Sequence, residues 1–181
     1  MKSNALKSKI EEISLIISDV DGVLTDGSIF VAADGSEFKQ FSVEDGAGAA
    51  FARYANIDIA LISGRYSGAT ELRANELKIK HCFQGKLNKI EAYDELCGIY
   101  NVTSKNIAYI GDGLIDLPLM EKASFSFAPP NSHDLVKEVA DVITVKSGGQ
   151  GVLREVVEYI LNEKNIYNQV LETMRKEIYK G

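Results

Sequence analysis

Short apolar runs alternate with longer segments of helical period along most of this chain. Residues 14–18, SLIIS, are apolar and β-branched almost throughout, the pattern of a strand covered on both faces. Similar runs at 57–62, 79–83, 106–110, 124–128 and 142–145 predict further strands. Helices are expected at 46–54, with Asp45 as cap, at 67–77, and from Asn88, paired with Glu91 in a capping motif, to Tyr100. Others are expected at 116–122, 132–139 and 152–161, and a short amphipathic lead-in at 5–12. Strand and helix in alternation predict an α/β fold, a Rossmann-like three-layer sandwich around a parallel sheet.

Two stretches break the alternation. Asp34-Gly35 lies between extended arms at 28–31 and 37–43, which is a hairpin signal. Phe30, Phe38 and Phe41 on those arms exceed what a lone ribbon can bury. The hairpin is expected to pack on another subunit or to fold back on its own domain. At the other end, residues 165–181 form a tail with Ile166, Val170, Leu171, Met174 and Ile178 on one stripe, a docked or subunit-bridging helix. Gly148-Gly149-Gln150-Gly151 is expected to be a flexible loop. No repeat or linker appears, so residues 1–181 are expected to form one domain with the hairpin insert at about 28–43.

Composition narrows the partners. The 181 residues are 45% apolar and 25% charged, with a net charge of −6. That balance offers no general basic face for nucleic acid, and an anionic substrate would need local cations. Cys82 and Cys97 form no CxxC pair, which fits a reducing compartment and gives no zinc site. The first residues lack the apolar run of a signal peptide, and no run is long enough to span a bilayer. A cytoplasmic protein without a membrane partner is expected.

The chemistry gathers at strand ends. The first strand ends in Asp19 and Asp21, the second in Ser63, the third near Lys86 and Lys89, and the fourth in Asp112 and Asp116. A parallel sheet brings all four ends to one edge, where open α/β folds bind ligands. Clustered carboxylates suit a hard cation such as Mg²⁺, while a hydroxyl, backbone N–H groups and an ammonium suit a phosphoryl group. With its charge offset in this way, an aspartate can attack phosphorus, and a second acid can protonate the leaving alkoxide.

DVDGVLTDG, ISGR, QGKLNK and GDGLIDLP resemble the four motifs of the haloacid dehalogenase-like phosphatases. Together with FSVEDGAG and GGQGVLREV they resemble the cap-less 3-deoxy-D-manno-octulosonate 8-phosphate phosphatase family over residues 13–161. The resemblance implies that Asp19 is nucleophile and metal ligand. It implies that Asp21 is the general acid/base, with its backbone carbonyl on the metal. Asp112 would be the remaining protein ligand, and Asp116 would support the metal shell. Ser63 and Lys89 would bind phosphate, Lys89 being selected because the family's lysine follows the glycine by four. Arg65, Arg73 and Lys86 would hold the sugar acid, though Arg73 also fits an exposed helix arginine. The resemblance further implies Mg²⁺ as cofactor, and a homotetramer whose hairpins meet centrally and roof neighbouring sites in place of a cap domain.

Gly113, Gln150 and Glu44 depart from that family's usual residues. The last two remove positive charge near the expected sugar site, which bears on which sugar acid is bound. The eight-carbon 8-phosphate is the leading expectation, with the 9-phosphate of a nonulosonic, sialic-acid-like sugar as alternative. A sugar-nucleotide transferase, a receiver domain and a non-catalytic scaffold are competing classes. The transferase reading leaves Ser63, Lys89 and Asp116 without a use, and a receiver domain calls for a shorter chain.

Overall fold

The computed structural model describes residues 8–180. Six strands form one fully parallel sheet: β1 (Leu15–Ser18), β4 (Asp58–Ile62), β5 (His81–Phe83), β6 (Ile107–Ile110), β7 (Phe125–Ala128) and β8 (Val142–Ile143). Their spatial order is β5-β4-β1-β6-β7-β8, which puts β1 at the centre. Ser18 pairs with Leu61 on one side and Ile110 on the other, so the carboxyl ends of β1, β4 and β6 are level.

Alternate residues of each strand feed two cores. Ile16, Leu61, Ile110 and Phe127 face one core, closed by α1 (Glu44–Tyr54), α2 (Gly68–Glu76), α6 (Val152–Glu163) and α7 (Tyr167–Ile178). Leu15, Ile17, Ile62 and Tyr109 face the other, closed by α3 (Lys89–Tyr100), α4 (Leu117–Lys122) and α5 (Asp134–Val139). The three-layer α/β expectation is met. Among the described residues no helix is long and apolar enough to cross a membrane.

Several local expectations are corrected. Helix α1 starts at Glu44 after Val43, and Asp45 lies inside its first turn instead of capping it. Asp45 is buried there and its Oδ1 accepts the Arg154 N–H at 3.4 Å, so it serves the N-terminus of α6. The two helices approach closely at Gly48, where a Cβ would stand 2.6 Å from Arg154 Cα. Of the lead-in at 5–12, residues 5–7 lie outside the described residues, and 8–11 are helical with Ile10 buried. Asn88 caps α3 as expected, accepting from the Ile90 N–H.

The hairpin is short: β2 (Phe30–Val31) pairs antiparallel with β3 (Glu37–Phe38). Phe30 and Phe38 are exposed, but Phe41 packs on the first core. The tail helix α7 docks on the same core through Val170, Leu171 and Met174, while Ile178 stays outside. The loop at 148–151 is not free. Gly148 N–H donates to Asn131 Oδ1 at 2.7 Å, and Gly149 N–H to the Val23 carbonyl at 3.0 Å.

Candidate active site

The loop after β1 is wound tightly. The N–H groups of Leu24 and Thr25 both return to the Val20 carbonyl, and the buried Thr25 hydroxyl accepts from the N–H groups of Gly22 and Gly27. This turn aims Asp19 inward: its Oδ1 accepts the Val20 N–H at 2.6 Å and its Oδ2 lies 2.7 Å from Lys89 Nζ. Lys89, the first residue of α3, is itself fully buried and is held by Asp116 Oδ1 at 2.7 Å on its other side. A cation at a helix N-terminus is unfavourable by itself. Two anions hold it there.

Asp116 is saturated. Its Oδ1 also accepts the buried Tyr109 hydroxyl at 2.7 Å, and its Oδ2 accepts the N–H groups of Asp112 and Gly113. With both oxygens so committed, Asp116 has little capacity left to ligate a metal directly. The Gly113 bond is made by backbone, so the departure at that position leaves it intact. Close approach at Gly111 lets Asp116 fold back, since a Cβ there would stand 2.5 Å from Asp116 Cβ.

Carboxylate oxygens of Asp19, Asp112 and Asp116 lie within 4.8 Å of one another. Three carboxylates against one ammonium leave excess negative charge in a nearly dry site. Burial, with Asp116 next in weight, pushes Asp112 up to about 6. The same two causes raise Asp19 well above the carboxylate range against the pull of Lys89. Burial pulls the Lys89 ammonium down, but Asp19 and Asp116 more than offset it. Such a group suits a hard divalent cation, which takes oxygen ligands and cancels this charge. Asp19 and Asp112 are the side chains with oxygens to spare. Gly22 permits the arrangement: at φ +90° its missing Cβ would stand 2.0 Å from Asp112 Oδ2.

Asp21 is not in this group of side chains. Its carboxylate turns to the hairpin and pairs with Lys39 Nζ at 2.6 Å. The expectation for Asp21 as a ligand concerned its peptide oxygen, which this placement of the side chain does not touch. Ser63 is buried at the end of β4, next to β1, and its Oγ accepts the Arg65 N–H at 3.2 Å. Gly64 lies against both Ile115 and Leu87, so the loops after β4, β5 and β6 meet over one edge.

The three expected sugar-binding cations are not gathered. Arg65 pairs with Glu37 of the hairpin at 2.7 Å. Arg73 is neither an exposed helix arginine nor a free cation. It bonds Glu76 and the Ser42 carbonyl, each at 2.7 Å, and lies over the Phe41 ring, so within one chain it braces the base of the hairpin. Lys86 is exposed on its loop. Glu44 is paired with Arg154, and Gln150 lines a small cavity of about 90 Å³ with Gln40 and Asp26. A larger cleft of about 330 Å³, lined by Arg53, Ile57, Leu77, Lys78 and Tyr100, holds none of the carboxylates.

Sequence reasoning passed over Lys39, Tyr109, Thr25 and Asn131. Thr25 stood within a quoted motif and was legible as a turn-locking hydroxyl. Tyr109 faces the site only because β6 alternates.

A profile of the haloacid dehalogenase-like hydrolases matches residues 81–156. Over 159 residues the chain is 42% identical to the 3-deoxy-D-manno-octulosonate 8-phosphate phosphatase KdsC of Salmonella typhi, across 88% of this chain and 85% of that protein. The crystal structure of the Moraxella catarrhalis 3-deoxy-D-manno-octulosonate 8-phosphate phosphatase, in complex with magnesium ion, phosphate ion and a KDO molecule, aligns with a TM-score of 0.90 and 38% identity, covering 94% of this chain and 98% of that one. The cobalt-bound deoxy-D-mannose-octulosonate 8-phosphate phosphatase of Haemophilus influenzae aligns with a TM-score of 0.85 and 38% identity, covering 90% and 98%.

Proposed function

The chain belongs to the 3-deoxy-D-manno-octulosonate 8-phosphate phosphatase family of haloacid dehalogenase-like hydrolases, and on that premise we propose that it releases phosphate from 3-deoxy-D-manno-octulosonate 8-phosphate. It is a Mg²⁺-dependent phosphoric monoester hydrolase. The observation that carries this reading is the single buried cluster in which Lys89 joins Asp19 to Asp116 beside Asp112.

Asp19 attacks phosphorus. The bond from phosphorus to the sugar oxygen breaks, and Asp21 gives that oxygen a proton. Asp21 then takes a proton from water, whose oxygen attacks the aspartyl phosphate and frees Asp19 and inorganic phosphate. Lys89 and the Ser63 hydroxyl hold phosphoryl oxygens, and Asp116 fixes Lys89. Asp19, Asp112 and the Asp21 backbone carbonyl would hold magnesium, which when bound would supply positive charge to offset repulsion between nucleophile and phosphate dianion.

Lys86 is exposed, and Arg65 keeps half of its side chain exposed although it pairs with Glu37; these are the two cations we assign to the sugar carboxylate. The exposed Phe30, Val31 and Phe38 support a homotetramer in which hairpins meet and cover neighbouring sites. Free Cys82 and Cys97 support a cytoplasmic enzyme.

The test is phosphate release by purified protein with Mg²⁺ from the eight-carbon 8-phosphate and from a nonulosonic acid 9-phosphate, side by side. Faster turnover of the eight-carbon ester is expected. Preference for the nine-carbon ester would move the assignment to that sugar, and no release from either would favour a scaffold.

A further inference from the structure

Lys39 follows the hairpin strand β3, two residues after Glu37, so both side chains leave the ribbon on the same face and Phe38 leaves on the other. The Lys39 side chain has no exposed surface. Its ammonium lies 2.6 Å from Asp21 Oδ1, 3.4 Å from Thr70 Oγ1 and 3.9 Å from Glu37 Oε1. Glu37 in turn grips Arg65, whose N–H bonds Ser63. One arm of the hairpin therefore fastens to the loop after β1 with a cation and to the loop after β4 with an anion.

We propose that Lys39 is a positioning residue for the acid/base Asp21, supplied by the hairpin of the same chain. A carboxyl group that accepts an N–H on one oxygen keeps its own proton on the other. Lys39 donates to Oδ1, so it directs the transferable proton to Oδ2 and fixes the plane in which that oxygen faces the leaving group. When Asp19 bonds phosphorus and the phosphorus–sugar oxygen bond breaks, this proton passes from Asp21 Oδ2 to the sugar oxygen. In the hydrolytic half the same oxygen receives the proton of water. Lys39 keeps its own protons throughout and touches no reacting atom. Because the lysine is carried by the hairpin, the seating of the hairpin sets the aim of the proton donor.

The assignment rests on the proposed phosphatase reaction, and its test separates the two. A sugar phosphate leaves as an alkoxide and needs the proton. Nitrophenyl phosphate leaves as a stable anion and does not. Because kcat/KM reports the steps through phosphoryl transfer to Asp19, Lys39→Met should lower it for the sugar phosphate by on the order of 10²-fold. For nitrophenyl phosphate the change should stay within about threefold. Lys39→Arg keeps the charge but moves the donors, and should lose about tenfold on the sugar ester alone. Thermal unfolding of each variant checks that it is folded, and Lys39→Arg carries the test if Lys39→Met is not. Equal losses on both esters, or no loss on either, would overturn the assignment while leaving the phosphatase reading in place. A wild-type chain without turnover of either ester would overturn both.

Discussion

Lys89 Nζ and Asp19 Oδ2 stand 2.7 Å apart in a site where the lysine side chain is fully buried and the aspartate keeps only a sliver of exposed surface. The pair ties the start of α3 to the end of β1. Removing one partner strands the other, so Lys89→Ala leaves two buried carboxylates unmatched and should cost about 3–5 kcal/mol in urea unfolding. Asp19→Asn is expected to behave differently. It keeps a hydrogen-bond partner for Lys89 and relieves repulsion from Asp116, so the unfolding midpoint should stay level or rise. Turnover should fall below about one-thousandth of wild type. Retained turnover in Asp19→Asn would remove it from the nucleophile role.

Magnesium binding should be visible without any substrate. Magnesium should raise the thermal midpoint of the wild type, and a chelator should reverse the rise. Asp112→Asn should abolish the response. Gly22→Ala should abolish it too, because a methyl at that position would collide with the Asp112 carboxylate on a backbone at φ +90°. A normal magnesium response in Gly22→Ala would place the ion elsewhere.

Asp45 gives a pH signature away from the cluster. Burial at the α1–α6 contact pushes its carboxyl up from 3.8 to about 6, and its Oδ2 has no hydrogen-bond partner. The folded state therefore holds this proton more tightly than the unfolded one. The group favours folding below pH 4, and that advantage is lost as pH rises through about 6. Asp45→Asn keeps an acceptor for the Arg154 N–H and cannot ionise. It should be more stable than wild type at pH 8, by roughly 2–3 kcal/mol, and the gap should close toward pH 4. A gap that is constant with pH would rule this out.

The hairpin should govern assembly. Replacing exposed Phe30 and Phe38 together by Ser removes apolar surface without touching either core. On the proposed homotetramer, sedimentation should shift toward monomer, with little change in the unfolding of the subunit. An unchanged sedimentation coefficient would mean that the aromatic tip is not the contact.

Much of this architecture was legible in the sequence because it depends on local pattern. Apolar β-branched runs located all six sheet strands, and Asn88 announced the start of α3. Asp19, Asp112 and Asp116 could be named because they lie in the segments that follow β1 and β6, and Lys89 because the family resemblance selects the lysine four residues after the glycine. What escaped depends on long-range approach. Lys39 reaches Asp21 across the hairpin, and Asn131 links Gly22 to Gly148 from a distant loop. Asp45 looked like a helix cap by residue type, but the helix had begun before it and α6 claimed its carboxylate. Arg73 offered no sign that Phe41 and Ser42 would occupy it.

Gly148 lies so close to the peptide oxygen of Gly22 that a Cβ there would stand 2.1 Å from it. The first catalytic turn thus leans on a segment made more than a hundred residues later. A chain emerging from the ribosome carries its nucleophile more than a hundred residues before the glycine pair, and that turn lacks its brace until the pair has been synthesised. Phosphatase activity should therefore switch on late in translation, and fragments ending before residue 148 should be inert however well their sheet has formed.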